Sequence, residues 1–136
     1  AYIVTGKKEA KLIAGGGRPK NTPQGWFVEP TVFTDVSNDA VISREEIFGP
    51  VLAIQTFRTV DEVITKANNT PYGLSGGVWT DKGAKIFQVS KAIRSGVLWA
   101  NTFNKFDPTS PFGGYKESGM GREGGLEGLM PYVNLV

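Results

Sequence analysis

The chain has 136 residues, 40% of them hydrophobic and 21% charged, which fits one soluble globular domain. It contains no Cys and no His, so disulfides, thiolate nucleophiles, Cys–His dyads and Ser-His-Asp triads are excluded within it. The net charge of +2 is far from the concentrated basic field of a nucleic-acid binder. Gly is abundant at 18 residues, which points to a loop-rich chain.

Residues 1–20 carry five Lys/Arg (Lys7, Lys8, Lys11, Arg18, Lys20) against Glu9, a solvated basic face. There is no signal-peptide layout and no initiator Met, as in a chain processed or cut from something longer. No apolar run reaches the roughly 18 residues of a membrane span.

The first predicted element is a short strand in Lys11–Gly17, stopped by Gly15, Gly16 and Gly17. Residues 18–25 are Pro-, Asn-, Thr- and Gly-rich loop. Trp26–Phe33 has strand composition, but Pro30 demotes it to an edge or irregular strand. Pro50–Phe57 is a nearly continuous apolar run, as in a buried parallel strand.

Thr59 and Glu62 form a capping box, and Val60, Val63, Ile64 and Ala67 lie on one helical face. Pro71 ends that helix. Leu74–Trp79 reads as a strand. Thr80 or Asp81 then caps a second helix to about Arg94, with Gly96 as a left-handed stop. Val97–Ala100 is the next strand. The resulting β-α-β-α-β order predicts an α/β fold with mostly parallel strands, after an irregular N-terminal β region.

Periodicity stops between Asn101 and about Gly125. A long aperiodic stretch is functional or disordered, and Phe103, Phe106, Phe112 and Tyr115 argue against disorder. It follows the end of a predicted parallel strand, where open α/β sheets place ligands. Met130–Val136 reads as a C-terminal extended strand in need of a partner.

Three motif matches fail on context. Gly119–Gly124 fits G-x-G-x-x-G but follows polar residues and has too little chain after it for a dinucleotide fold, so it reads as a Gly-rich turn. Gly73–Gly77 fits G-x-S-x-G, but Ser75 has no His to serve it. Asn68-Asn69-Thr70 is a chance sequon. Glu45 and Glu46 are adjacent carboxylates, poorly placed as a general acid/base pair because neighbours in an extended segment point to opposite faces; they read as two solvated charges, or as one facing a site and the other solvent.

Longer segments carry a family resemblance. Glu45-Glu46-Ile47-Phe48-Gly49-Pro50-Val51, Asn69-Thr70-Pro71-Tyr72-Gly73-Leu74 and Ser110–Glu123 (SPFGGYKESGMGRE) resemble, in order, segments of the NAD(P)-dependent aldehyde dehydrogenase superfamily. Gly25–Phe33 is similar to its G-x-F-x-x-P-T-V-F strand segment. The resemblance covers essentially the whole chain and only the last quarter to third of a family member. It implies that residues 1–128 are the C-terminal portion of the catalytic domain and that residues 129–136 start the oligomerisation strand. The family's nucleotide-binding domain, Cys nucleophile and Glu general base lie upstream of this stretch.

By the same resemblance, Glu46 contacts the nicotinamide-ribose hydroxyls of NAD or NADP, and Phe48 packs near the nicotinamide ring. A carboxylate accepts from two vicinal hydroxyls without donating, which suits that role. Phe106 and Phe112 resemble residues that line the substrate tunnel, where apolar walls suit an uncharged aldehyde. The alternative reading of Phe106 is an ordinary buried loop anchor. Gly113, Gly114, Gly119 and Gly121 resemble turn residues that close the loop on the pocket.

The implied reaction is oxidation of an aldehyde to a carboxylic acid through a thioester on Cys. The implied partners are the aldehyde, the rest of the dehydrogenase chain and further copies of itself, with no nucleic acid, membrane or metal, in a cytoplasmic setting. A second reading, from a different class, is a stand-alone, non-catalytic α/β binding or assembly module derived from a dehydrogenase.

Overall fold

The computed structural model describes residues 1–22 and 24–134. They divide into two compact units, 1–59 and 60–136.

The first unit begins with a helix, α1 (Tyr2–Glu9), that the sequence does not announce. Its only fully packed position is Gly6, because the Phe33 ring lies where a Cβ would stand. Strand β1 (Lys11–Ala14) pairs antiparallel with β2 (Thr31–Thr34), and β2 pairs parallel with β3 (Val51–Ala53). A short helix, α2 (Val41–Arg44), lies between β2 and β3 in the chain.

Strand β2 is thus the centre of a three-stranded sheet and not an edge. The reason is local. Pro30 stands just before the strand, so its missing N–H breaks no ladder bond, and Thr31 makes the first one, donating to the Pro50 carbonyl at 2.8 Å. Thr31 and Phe33 are buried, and Phe33 centres a core of Val36, Ala40 and Ile42. Strand β3 is shorter than the apolar run predicts. It pairs on one side only, and Leu52 and Ile54 are exposed.

In the second unit, α3 (Val60–Asn68) starts directly after Thr59. Then come β4 (Tyr72–Gly73), β5 (Ser75–Val78), α4 (Gly83–Ala92) and β6 (Val97–Ala100). Strands β5 and β6 pair parallel across α4. Helix α4 begins later than the Thr80/Asp81 cap predicts. Thr80 is held at the strand end, where its N–H donates to Asn101 Oδ1 at 2.9 Å and its carbonyl accepts from Asn101 Nδ2 at 3.0 Å.

Gly96 is not a left-handed helix stop, because α4 has already ended in extended Ile93. It is needed for close approach: a Cβ there would overlap the Gly113 carbonyl oxygen. The stretch after Asn101 is also more ordered than its lack of periodicity suggests. Tyr115–Lys116 form β7, antiparallel to β4, and Phe112 bridges Glu123.

The fold is therefore mixed α/β, with two parallel and two antiparallel strand pairs where mostly parallel strands were expected. The β-α-β-α-β order holds along the chain, but β3 belongs to one sheet and β5–β6 to another. The expected C-terminal strand is corrected as well. Helix α5 (Gly125–Leu129) runs into a 3-10 turn over Met130–Tyr132. Pro131 favours this because its fixed φ suits a first helical turn. Val133 is extended, and positions 135–136 of that expectation lie outside the described residues.

Candidate functional site

In the first unit, residues 41–48 are held from two directions. Glu9 Oε2 accepts from the Val41 N–H at 3.0 Å, which satisfies a free donor at the start of α2. Gln55 Nε2 donates to Ser43 Oγ at 2.8 Å, tying α2 to the residues after β3. Helix α2 ends in extended Glu45, and of the next residues only Ile47 is partly buried. Ile47 packs against the Phe33 core, and Tyr2 Oη donates to Glu45 Oε2 at 2.8 Å. Glu46 and Phe48 occupy the alternate positions and are exposed, Phe48 to 91%.

Among the described residues, Glu46 has no hydrogen-bond or ion-pair partner, whereas Glu45 is engaged. The two adjacent carboxylates are thus differentiated. One is hydrogen-bonded to Tyr2 at the surface, and the other is a free acceptor two residues from an open aromatic ring. A free carboxylate suits a ligand with paired hydroxyls, and an uncovered ring suits a planar one.

The second unit brings Phe106 and Phe112 together. Their ring centroids are 4.9 Å apart, edge to face. Both pack on Trp99 of β6, Phe106 edge-on at 5.5 Å and Phe112 stacked at 6.5 Å, and Phe103 adds a second edge contact at 4.9 Å. Phe106 is 58% exposed, while Trp99 beneath it is buried. Phe112 is fixed by its backbone as well, with N–H···O bonds of 2.6 and 2.7 Å exchanged with Glu123.

The supports of this aromatic group come from residues far apart in sequence. Lys116 Nζ donates to the carbonyls of Asn68 and Thr70, at 3.2 and 2.8 Å. The Asn68 side chain bonds Ala92 O and Arg94 N–H, joining the ends of α3 and α4. Ser118 Oγ accepts from Gly73 N–H at 3.0 Å. Arg122 Nη1 donates to the carbonyls of Gly114 and Gly121, at 2.9 and 2.8 Å, and its guanidinium lies over the Tyr115 ring. The segments around Asn69–Leu74 and Ser110–Glu123, read separately in the sequence, are thus bound to each other through β4 and β7. Of the four loop glycines, Gly119 has positive φ, while Gly113 and Gly114 are crowded by backbone atoms of Gly121 and Ser118.

The sequence assigns no site role to Trp99, Phe103, Asn101 or Lys116. The aromatic spacing after Trp99 follows no helix or strand period, so only the fold reveals the cluster. Asp107, beside Phe106, has its carboxyl held below the usual carboxylate range by the Thr109 hydroxyl and then by the Thr109 N–H. Among the described residues, no group of three or more acidic side chains is placed to hold a metal ion. None of their helices is long and apolar enough to cross a membrane.

The sequence matches the aldehyde dehydrogenase family over residues 1–136. Betaine aldehyde dehydrogenase of Rhizobium etli is 50% identical over 99% of this chain and 28% of its own length. Cytosolic aldehyde dehydrogenase 1 of Rattus norvegicus is 49% identical over 98% of this chain and 26% of its own. Among solved structures, indole-3-acetaldehyde dehydrogenase of P. syringae, in complex with NAD+ and IAA, is 45% identical with a TM-score of 0.90. It covers 96% of this chain, which covers 27% of it. Mycobacterium tuberculosis aldehyde dehydrogenase, complexed with NAD+, is 49% identical with a TM-score of 0.90 and the same coverage. The chain spans about a quarter of the length of these relatives. It belongs to the aldehyde dehydrogenase family.

Proposed function

We propose that this chain is part of an enzyme that oxidises an aldehyde to a carboxylic acid with NAD(P)+. It supplies nicotinamide-ribose contacts and substrate-tunnel wall, but not the nucleophile. The observation that carries the reading is the free, exposed Glu46 carboxylate beside the open Phe48 ring, both anchored through Ile47. Such a carboxylate accepts from both ribose hydroxyls, and the Phe48 ring limits the movement of a planar nicotinamide. A bound nicotinamide supplies a hydride acceptor. Phe106 and Phe112 offer apolar surface to the body of an uncharged aldehyde and exclude water near it.

On this reading residues 1–128 belong to the catalytic domain. The exposed apolar side chains of Leu129, Met130, Tyr132 and Val133 begin the segment that joins copies of the protein.

The test is Glu46→Gln in the full-length protein that carries this chain. An amide keeps the shape but donates where the carboxylate only accepts. A charged hydrogen bond is worth about 1.5–3 kcal/mol, so KM for NAD(P)+ is expected to rise about 10- to 100-fold with the aldehyde KM unchanged. An unchanged cofactor KM removes Glu46 from the role.

A further inference from the structure

Trp99 is the only buried hydrophobic residue among the described residues after Ile42. Its three ring partners, Phe103, Phe106 and Phe112, all come from the segment that follows β6. Indole has a single donor. Trp99 directs it to the Lys105 carbonyl at 3.0 Å, one residue before Phe106. The indole therefore fixes both the backbone that leads into Phe106 and the face on which that ring rests.

Phe106 and Phe112 depend on this support unequally. Phe112 is also clamped by two backbone bonds to Glu123. Phe106 lies outside any strand or helix, and Trp99 and Phe112 are its ring partners. Its solvent-facing side is free, and its other side rests on a buried ring. The position of the free side is thus set from behind.

We infer that Trp99 is a positioning residue for Phe106, and that it thereby sets how well bulky apolar aldehydes bind relative to small ones. This rests on the tunnel-wall reading of Phe106 proposed above. Trp99 itself is buried and does not touch the aldehyde. Removing its N–H releases the Lys105 carbonyl, and Phe106 shifts more than Phe112. A large aldehyde that needs the ring loses contact, whereas a small one barely senses it.

The experiment uses the full-length protein with Trp99→Phe, Phe106→Leu and the double variant. Steady-state kcat and KM are measured with benzaldehyde and with acetaldehyde. Fluorine NMR of protein labelled with para-fluorophenylalanine follows the Phe106 and Phe112 rings. Trp99→Phe is expected to raise KM for benzaldehyde about tenfold more than KM for acetaldehyde, and to move the Phe106 resonance more than that of Phe112. The double variant is expected to be no worse than Phe106→Leu alone, because both act through one ring.

Equal changes with the two aldehydes, additive effects in the double variant, or a Phe106 resonance that stays in place would overturn the inference. If Trp99→Phe fails to fold, Phe103→Leu takes its place. That ring is half-exposed and braces Trp99, so the same selective change in KM is expected, and its absence counts against the inference. Wild-type protein that oxidises neither of these nor any other of a panel of aliphatic, aromatic and charged aldehydes sinks the proposed function itself. Wild-type turnover with an unaltered Trp99→Phe profile sinks only the role of Trp99.

Discussion

Glycine acts at two different levels in this chain, and Gly96 and Gly83 show the contrast. A Cβ on Gly96 would overlap the Gly113 carbonyl oxygen, which cannot yield because Gly113 is itself packed against Gly121 and Arg122. Gly83 opens α4 and has nothing near the place of its Cβ. Gly96→Ala is therefore expected to destabilise the fold by about 3 kcal/mol, the upper range for forcing atoms into a packed site. Gly83→Ala is expected to stabilise it by about 0.5 kcal/mol through helix propensity and a less flexible unfolded chain. Urea denaturation of the two variants checks both signs. Equal midpoints would show that the Gly96 contact relaxes freely.

Among the elements, β2 decides the stability of the first unit. Its inward side chains are Thr31 and Phe33, and Phe33 touches α1 through Gly6 and the core through Ile42 and Val36. Phe33→Ala is expected to cost about 4 kcal/mol, since the α1–sheet seam cannot close over so large a void. Val32→Ala, on the half-buried face, is expected to cost about 1 kcal/mol. Thermal unfolding of the two variants measures the difference, and similar melting temperatures would refute the central place given to β2.

The same elements show what a single sequence carries. Helices α3 and α4 and strand β6 are legible because their apolar spacing is local. The central position of β2 is not, because it depends on pairing with Val51, twenty residues away from Thr31. The motif singles out Glu46 and Phe48, but the Tyr2 bond that separates Glu45 from Glu46 spans 43 residues and has no local signal. The seat of Phe106 on Trp99 was hidden, because that contact crosses an aperiodic loop. The bonds from Lys116 and Arg122 that order this loop end on backbone carbonyls, which every residue possesses.

For the molecule as a whole, the chemistry absent from its composition matters as much as the surfaces it presents. Aldehyde oxidation of the proposed kind needs a nucleophile that forms a covalent adduct and a base that activates water for hydrolysis. No Cys stands anywhere in the 136 residues, so no thiolate can attack the carbonyl, and no His is present to act as a base. Glu46 is an exposed carboxylate, but its expected partner is the ribose and not the water that hydrolyses the adduct. The aromatic group around Trp99 offers only apolar contact and backbone amides. The 136-residue chain by itself is thus expected to form no NADH from NAD+ and any of a panel of aliphatic and aromatic aldehydes, even where it binds them. The assay follows NADH absorbance at micromolar chain concentration, with the full-length protein as the active reference. Turnover by the isolated chain above the aldehyde-free blank would mean that its own residues perform the chemistry, and would overturn the division of roles in which this segment supplies only contacts and wall.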